Sequence, residues 1–395
     1  MVFAWGVRRA VLTLGVTQTI GYAGSFYLPA ILADAMAKGV GATTPFVFGV
    51  FSGALLIQAV LAQVLGRLVD KRGGRLPLAA ASVVFGVGLL VLGLAQSPLQ
   101  LGCAWFVIGV AMALGLYDIA FAGLVGWFGA DARRSITGVT LIAGFASTVG
   151  WPLTTWLAAH FSWRGACFAW AAAQLLIALP LHLSLPRGPA VQPAPLAAPP
   201  PEAGAAPGHS PRAQMVLVAI AFAAMAAVGS AVAAHLPLLL MALGASSAAA
   251  VGAGALVGPA QVLARVAEYT FVRRLHPLIS ARVSVSLFPL GAGALLGLGP
   301  MMAAPFAILY GCGNGLFTIA RGTLPLTLFG SQNYGARLGA ITIPGRFLQA
   351  AAPFAFAILM QHSARLSVLA LAALCGLGLA CLLVLKAPRP DPKIS

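Results

Sequence analysis

Five ionisable side chains stand inside apolar stretches of the sequence, where charge is costly. They are Asp118, Arg265, Glu268, Arg321 and Arg346. A charge near the middle of a bilayer costs at least about 2.5–3.5 kcal/mol, so such a side chain faces a cavity or a partner. Guanidinium groups bind carboxylates through paired hydrogen bonds, and a desolvated acid favours its protonated form. These residue types predict anion binding by the arginines and proton exchange by Asp118 and Glu268.

Polar side chains share helix faces with these charges. The sets are Gln261 with Arg265 and Glu268, Asn314 with Thr318 and Arg321, Thr342 and Gln349 with Arg346, and Gln18 with Tyr22. At about 1.5 Å per residue, the arginines lie roughly 12–13 Å and Asp118 roughly 16 Å inside their segments. These depths predict one polar site near mid-membrane. Its predicted substrate contacts are Arg265, Arg346, Arg321, Gln18, Tyr22, Gln261 and Asn314.

Structural roles remain open for the same residues. Arg265 and Glu268 can neutralise each other along one helix. Arg321 can form a purely structural bridge with Asp118. Uncharged polar residues can be interhelical hydrogen-bond partners that bind no ligand. This alternative applies to Gln18, Tyr22 and Asn314.

The depth of Arg265 depends on how two segments are aligned. Without gaps, residues 259–268 match residues 61–70, which would place Arg265 at the membrane edge beside the position of Arg67. The prolines that open the following spans, Pro77 and Pro277, give a different register. We therefore predict an embedded Arg265.

The composition indicates a membrane protein. Of the 395 residues, 60% are hydrophobic and 8% are charged, against about 25% charged in soluble domains. The five cysteines form no CxxC pair and the six histidines do not cluster, so we expect no metal or other cofactor. Nucleophile, Walker A and cleavable-leader patterns are also lacking, which predicts a protein that is not an enzyme and has no signal peptide.

The apolar residues fall into twelve segments, each long enough to cross a bilayer as a helix. They cover roughly 10–33, 44–65, 77–95, 99–128, 136–159, 165–185, 213–241, 247–272, 277–299, 304–328, 338–360 and 364–385. Basic residues concentrate in the loops on one side, while the other side holds Lys38, Arg164 and Arg365. The net charge of +16 is therefore a topology signal rather than a nucleic-acid site, and it predicts cytoplasmic termini.

A Pro- and Ala-rich stretch divides the chain into two halves that resemble each other. We predict six-helix bundles over residues 1–186 and 213–395, joined by a disordered cytoplasmic linker over 187–212. The stretch 115–120 matches 315–320, and Gly144 and Pro152 match Gly345 and Pro353. Gly21 and Pro29 likewise match Gly229 and Pro237. Parallel six-helix repeats are typical of secondary transporters.

The loop after the second span carries a family signature. Residues 66–75 read GRLVDKRGGR, which resembles the major facilitator superfamily pattern G-x-L-x-D-[RK]-x-G-x-[RK]. The resemblance implies an all-α integral membrane protein with twelve helices in two pseudo-symmetric bundles. It also implies that this loop gates the cytoplasmic side. The gating residues would be Gly66, Asp70, Lys71, Gly73 and Arg75.

A weaker resemblance concerns the eighth and eleventh spans. Arg265 and Arg346 are similar to membrane arginines of oxalate/formate antiporters and monocarboxylate transporters, although Gln261 stands where an aspartate would be expected. The resemblance implies a proton-coupled or exchanging transporter of a small organic anion, working by alternating access. Efflux of drug-like or metalloid compounds on the same scaffold is the alternative, and a membrane receptor is a third. We expect the protein to be a monomer in a bacterial inner membrane. Its expected partners are the lipid bilayer, the substrate and protons.

Overall fold

A computed structural model describes residues 2–187, 210–270 and 276–385. Within these ranges the regular structure is helical throughout, without a strand. The first nine α-helices are α1 Val2–Ala23, α2 Leu28–Val40, α3 Thr44–Arg72, α4 Arg75–Leu94, α5 Pro98–Gly115, α6 Tyr117–Phe128, α7 Ala132–Ala143, α8 Ala146–Ala173 and α9 Leu179–Leu183. The remaining six are α10 Pro211–Ala242, α11 Ser247–Thr270, α12 Pro277–Leu298, α13 Ala303–Phe329, α14 Tyr334–His362 and α15 Ala364–Val384.

The helices begin and end where backbone chemistry requires. Hydroxyl groups of Thr43, Ser97 and Ser210 accept the N–H groups three residues ahead and thereby cap α3, α5 and α10. Glycines with positive φ end others, such as Gly41 after α2 and Gly330 after α13.

Ten helical segments in the described ranges are long and apolar enough to cross a membrane. One of them, Ala132–Leu183, is 52 residues long and covers the predicted fifth span and nearly all of the sixth, with non-helical backbone at Ser162 between the two. The prediction of an all-α membrane protein is confirmed. Residues 188–209 of the predicted linker and the loop arginines 273 and 274 lie outside the described residues, whereas Pro211 and Arg212 at the end of that predicted linker begin α10.

Four predicted spans are not simple helices, and one of them is the fifth, which breaks between α7 and α8 at Gly144 and Phe145. The first breaks between α1 and α2, where Pro29 near the start of α2 has no N–H for a continuous ladder. The fourth breaks at Leu116, whose ψ of −173° is extended. The sixth contains a π-helical turn over Gln174–Ala178.

The described chain forms two compact units. Of the described residues, the first unit comprises 2–187 with 333–350, and the second comprises 210–270 and 276–332 with 351–385. The division along the chain lies near the predicted linker, but the beginning of α14 groups with the first unit. The division into bundles over 1–186 and 213–395 stays a prediction.

Candidate functional site

A buried ion pair joins α6 to α14 within the first unit. Arg346 Nη2 donates to Asp118 Oδ2 at 3.1 Å. The exposed fractions of the two residues are 5% and 9%. Arg346 Nη1 also donates to Gln349 Oε1, at 3.4 Å. The structure thus brings together the predicted acid of one half and one of the predicted anion-binding arginines.

The chain break at Leu116 explains the position of Asp118. Because α5 ends at Gly115 and α6 begins at Tyr117, Asp118 stands in the first turn of a new helix. Unpaired N–H groups and the helix dipole favour a negative charge at such an end. The break and Arg346 therefore both stabilise the Asp118 carboxylate.

Gln18 holds the same break from α1. Its Nε2 donates to the carbonyl of Gly115 at 2.6 Å, and Gln58 of α3 donates to the carbonyl of Met112 at 3.2 Å. Among the described residues, the Oε1 atoms of both glutamines are buried without a hydrogen-bond donor. Gln18 is therefore a structural cap that still has an open acceptor.

Tyr22, one turn after Gln18, lies against the start of α6. The ring centroids of Tyr22 and Tyr117 are 4.7 Å apart, and Tyr117 stacks on Phe121 at 5.1 Å. Gly21 places its backbone against the Leu116 side chain. Gln18 and Tyr22 thus line the break, as their four-residue spacing predicts.

In the second unit, glycines bring α13 close to α11. A methyl group on Gly311 would lie 2.7 Å from the Val257 carbonyl, and one on Gly315 would lie 2.5 Å from the Gln261 carbonyl. Only glycine permits this approach. Thr318 is one turn after Gly315 on α13, and Arg265 is one turn after Gln261 on α11. The close approach of the two helices therefore brings Thr318 within reach of the side chain one turn after Gln261.

That side chain is Arg265. Its Nη2 donates to Thr318 Oγ1 at 3.3 Å, while Thr318 itself donates to the Asn314 carbonyl at 2.9 Å. Arg265 is 5% exposed. Its Nε and Nη1 atoms have no acceptor among the described residues. A buried guanidinium therefore has most of its hydrogen-bonding capacity unused.

The contact with Thr318 also bears on the depth of Arg265. Thr318 lies roughly 16 Å along α13 from the end of that helix at Phe329. A side chain that reaches this level is well inside the span, which supports the embedded register.

Glu268 points to a different neighbour. Both of its carboxylate oxygens lie 3.0 Å from Ser280 Oγ of α12, which donates to them. Ser280 is in the first turn of α12, so Glu268 lies near the end of the membrane span. Within the described residues, Arg265 makes no ion pair with Glu268.

The other predicted contacts of the second unit are half-buried. Gln261 offers backbone to Gly315, and the Asn314 amide oxygen is 3.8 Å from the place of a methyl group on Gly229. Arg321 lies on α13 one turn after Thr318 and is half-buried. The three residues share the α11 and α13 region with Arg265.

The signature loop lies against the start of α14 within the first unit. Asp70 accepts the N–H groups of Gly335 at 2.8 Å and Ala336 at 2.9 Å. A methyl group on Gly66 would collide with the Gly335 carbonyl. Asp70 thus supplies both an acceptor and a negative charge to the first turn of α14.

The remaining signature residues have distinct settings. Gly73 ends α3 with a φ of 79°, which favours glycine. Arg75 is the first residue of α4 and is half-buried, whereas Lys71 is exposed. The glycines therefore have a backbone role, and Asp70 makes the contact with α14.

One exposed ion pair is separate from these sites. Lys38 Nζ is 2.7 Å from Asp34 Oδ2 on α2, and both side chains are mostly exposed. The hydrogen bond to Lys38 lowers the pKa of Asp34 and raises that of Lys38. The cysteines and other candidate ligands of the described ranges form no group that could hold a metal ion.

Sequence reasoning missed the break at Leu116 and the capping role of Gln58. No proline marks that break, and Gly115 is the only local signal. Ser280 as the partner of Glu268 was also missed, because a contact between two spans has no signature in sequence spacing.

Comparisons with known proteins agree with this architecture. The family model for the Major Facilitator Superfamily matches residues 14–353. No curated protein sequence matches the chain. Solved structures of the superfamily fold are similar over nearly the whole length at low identity.

Three of these structures show the likeness. The human organic anion transporter MFSD10 (TETRAN) has a TM-score of 0.74 at 16% identity, covering 95% of this chain and 99% of its own. The proton:xylose symporter XylE has 0.71 at 14%, covering 96% and 95%. The E. coli fucose:proton symporter FucP has 0.72 at 13%, covering 95% and 98%. The family match spans most of the chain, and the protein therefore belongs to the Major Facilitator Superfamily of secondary transporters, multi-pass proteins of the lipid bilayer.

Proposed function

We propose that the protein transports a small organic anion with a carboxylate group. The observation that carries this proposal is Arg265, a buried guanidinium with two nitrogens that lack an acceptor in the described chain. An arginine stays protonated even when buried, and a buried charge without compensation is strongly unfavourable. A carboxylate supplies both the charge and the paired acceptors.

The neighbours of Arg265 fit this role. Thr318 holds one side of the guanidinium at 3.3 Å, while Gln261, Asn314 and Arg321 add polar groups along the same two helices. The fold likeness to an organic anion transporter is consistent with such a substrate. We assign these residues to substrate binding and the protein to transport rather than enzymatic catalysis.

Asp118 and Arg346 are proposed to couple transport to protons. Protonation of Asp118 removes the negative partner of Arg346, and the substrate carboxylate takes its place. When the carboxylate leaves, Arg346 pairs again with the ionised Asp118. Glu268 is a second proton-coupling candidate, because its buried carboxylate already accepts a hydrogen bond from the Ser280 hydroxyl.

Alternating access and topology complete the proposal. Gly66, Asp70, Lys71, Gly73 and Arg75 gate the cytoplasmic side. The protein works as a monomer in a bacterial inner membrane with cytoplasmic termini. Symport and exchange both fit this arrangement.

Ligand-dependent thermal stability of the purified protein tests the proposal, because a ligand that binds the folded state raises its stability. The panel contains acetate, succinate, benzoate, tetraethylammonium and arsenite. Carboxylates should raise the melting midpoint of the wild type and lose this effect in Arg265→Ala. Arg365→Ala is the matched control, because Arg365 is exposed and, among the described residues, donates a hydrogen bond to the Leu296 carbonyl only.

Two results would overturn the anion proposal. One is undiminished carboxylate stabilisation in Arg265→Ala. The other is stabilisation by the cation or arsenite alone, which would instead favour efflux of drug-like or metalloid compounds and give the arginines a structural role. Proton coupling is tested separately by uptake into proteoliposomes, where Asp118→Asn should abolish accumulation driven by a pH gradient. Unchanged accumulation would exclude Asp118 from that role.

A further inference from the structure

Aromatic rings form a continuous cluster in the first unit, beside the buried ion pair. We define the aromatic cluster as Tyr22, Phe26, Tyr27 and Tyr117. Tyr22 lies 4.7 Å from Tyr117, 6.2 Å from Phe26 and 6.3 Å from Tyr27, measured between ring centroids. The ring of Phe26 meets that of Tyr27 edge to face at 5.4 Å.

The aromatic cluster begins where the charges are. Tyr117 directly precedes Asp118, whose carboxylate holds Arg346 at 3.1 Å. Tyr22 is one helical turn from Gln18, which caps the Gly115 carbonyl. One ring of the cluster, Tyr117, is therefore adjacent in the chain to the carboxylate that holds Arg346, just after the break at Leu116.

Three of the four rings retain accessible surface, whereas Tyr117 is buried. Tyr22, Phe26 and Tyr27 are half-buried, although α1 and α2 are packed within the unit. Leu12 and Val16 are exposed apolar side chains of α1, and their positions are not helical neighbours of Tyr22. Tyr22 is near the end of α1, and Phe26 and Tyr27 follow in the turn before α2.

From this arrangement we infer that the preferred substrate is an aromatic carboxylate. Its ring packs on the half-buried Tyr22, and its carboxylate is directed to Arg346 once protonation of Asp118 has removed the negative partner of that guanidinium. Aromatic rings prefer offset-stacked or edge-to-face contact, because the electron-rich face of one attracts the positive edge of another. A saturated ring of equal size gains buried area but lacks this attraction. The inference rests on the proposed function.

Gln18 adds a polar feature to the same place. Its Oε1 is buried and has no donor within the described residues. A hydroxyl group on the substrate ring would satisfy it, and a buried acceptor gains from such a donor. Hydroxybenzoates should therefore bind at least as tightly as benzoate.

The test compares benzoate with cyclohexanecarboxylate, which has the same charge and ring size but no aromatic face. Affinities are measured by binding to the purified full-length protein in detergent. Aromatic pairing of about 0.5–1.5 kcal/mol corresponds to roughly two- to thirteen-fold tighter binding of benzoate. Tyr22→Phe should keep this ratio, and Tyr22→Leu should reduce it to about one.

Phe106→Leu is the matched control, because this ring is 59% exposed on α5 of the same unit and should leave the ratio unchanged. Equal affinities for the two acids in the wild type would overturn the aromatic inference. So would an unchanged ratio in Tyr22→Leu. If both acids still bind and lose affinity in Arg265→Ala, the proposed function stands despite this failure. If neither acid binds, both the proposed function and the aromatic inference fail.

Discussion

The charges of Asp118 and Arg346 compensate each other. Asp118 Oδ2 in the first turn of α6 is 3.1 Å from Arg346 Nη2 in the middle of α14. The sequence predicts a proton-coupling acid and an anion-binding arginine as separate elements. Their pairing means that the two functions cannot be independent, because a change in the charge of one alters what the other needs. Arg265, in contrast, has a hydroxyl partner and no carboxylate among the described residues.

The first prediction concerns the stability of this pair. Removing one partner of a buried pair leaves an uncompensated charge, which costs about 3–5 kcal/mol. Asp118→Leu and Arg346→Met should each lower the free energy of unfolding in detergent by an amount of this order. The double variant should cost less than the sum by at least about 1 kcal/mol.

The exposed pair on α2 provides the comparison. Asp34→Asn and Lys38→Gln should show no measurable coupling, because their side chains are mostly in solvent. Strict additivity at Asp118 and Arg346 would contradict a paired arrangement.

The second prediction concerns the close approach of α11 and α13. Gly315→Ala would place a methyl group 2.5 Å from the Gln261 carbonyl, so the two helices must separate. We expect a destabilisation of about 1–3 kcal/mol from overpacking, together with weaker carboxylate binding because Arg265 moves away from Thr318. Thermal midpoints and ligand affinities measure the two effects.

Gly293→Ala on α12 is the control, since a methyl group there meets nothing within 4 Å. It should be neutral or stabilising, because alanine favours helix by about 0.8–1.0 kcal/mol over glycine. If Gly315→Ala bound carboxylates as tightly as the wild type does, the position of the Arg265 side chain would not depend on this packing.

Sequence patterns predicted the helical membrane fold because each span needs about 20 apolar residues, and that requirement is local. They also single out Arg265 and Asp118 as candidates, since a charge in an apolar run is conspicuous. They could not identify Arg346 as the partner of Asp118, because 228 residues separate the pair. The extended residue Leu116 was equally hidden, since its neighbours supply no proline and its break depends on tertiary caps from Gln18 and Gln58.

The third prediction concerns the contact between α3 and α14. A methyl group on Gly335 would lie 2.6 Å from the Gly66 carbonyl and 2.9 Å from Asp70 Oδ1. Because backbone cannot yield as a side chain does, Gly335→Ala should lower stability by about 1–3 kcal/mol. Gly49→Ala on α3 meets open space and should not lower the thermal midpoint. Equal midpoints for the two variants would argue against this close contact.

The last prediction concerns Asp70 as the cap of α14. Its carboxylate accepts two N–H groups in the first turn, and losing an N-terminal cap costs about 0.5–2 kcal/mol. Asp70→Ala should therefore speed amide hydrogen exchange at Gly335 and Ala336, measured by mass spectrometry. Asp70→Asn should have a smaller effect, because it keeps one acceptor but loses the charge that favours a helix N-terminus.

Two comparisons make this measurement specific. Lys71→Ala removes an exposed neighbour of Asp70 and should leave exchange at the start of α14 unchanged. The start of α15 has its own cap, since Ser363 accepts the N–H of Leu366, and should be unaffected in every variant. Exchange at Gly335 and Ala336 that is as slow in Asp70→Ala as in the wild type would mean that other groups hold this helix end. The signature aspartate would then have to contribute to gating by a different contact.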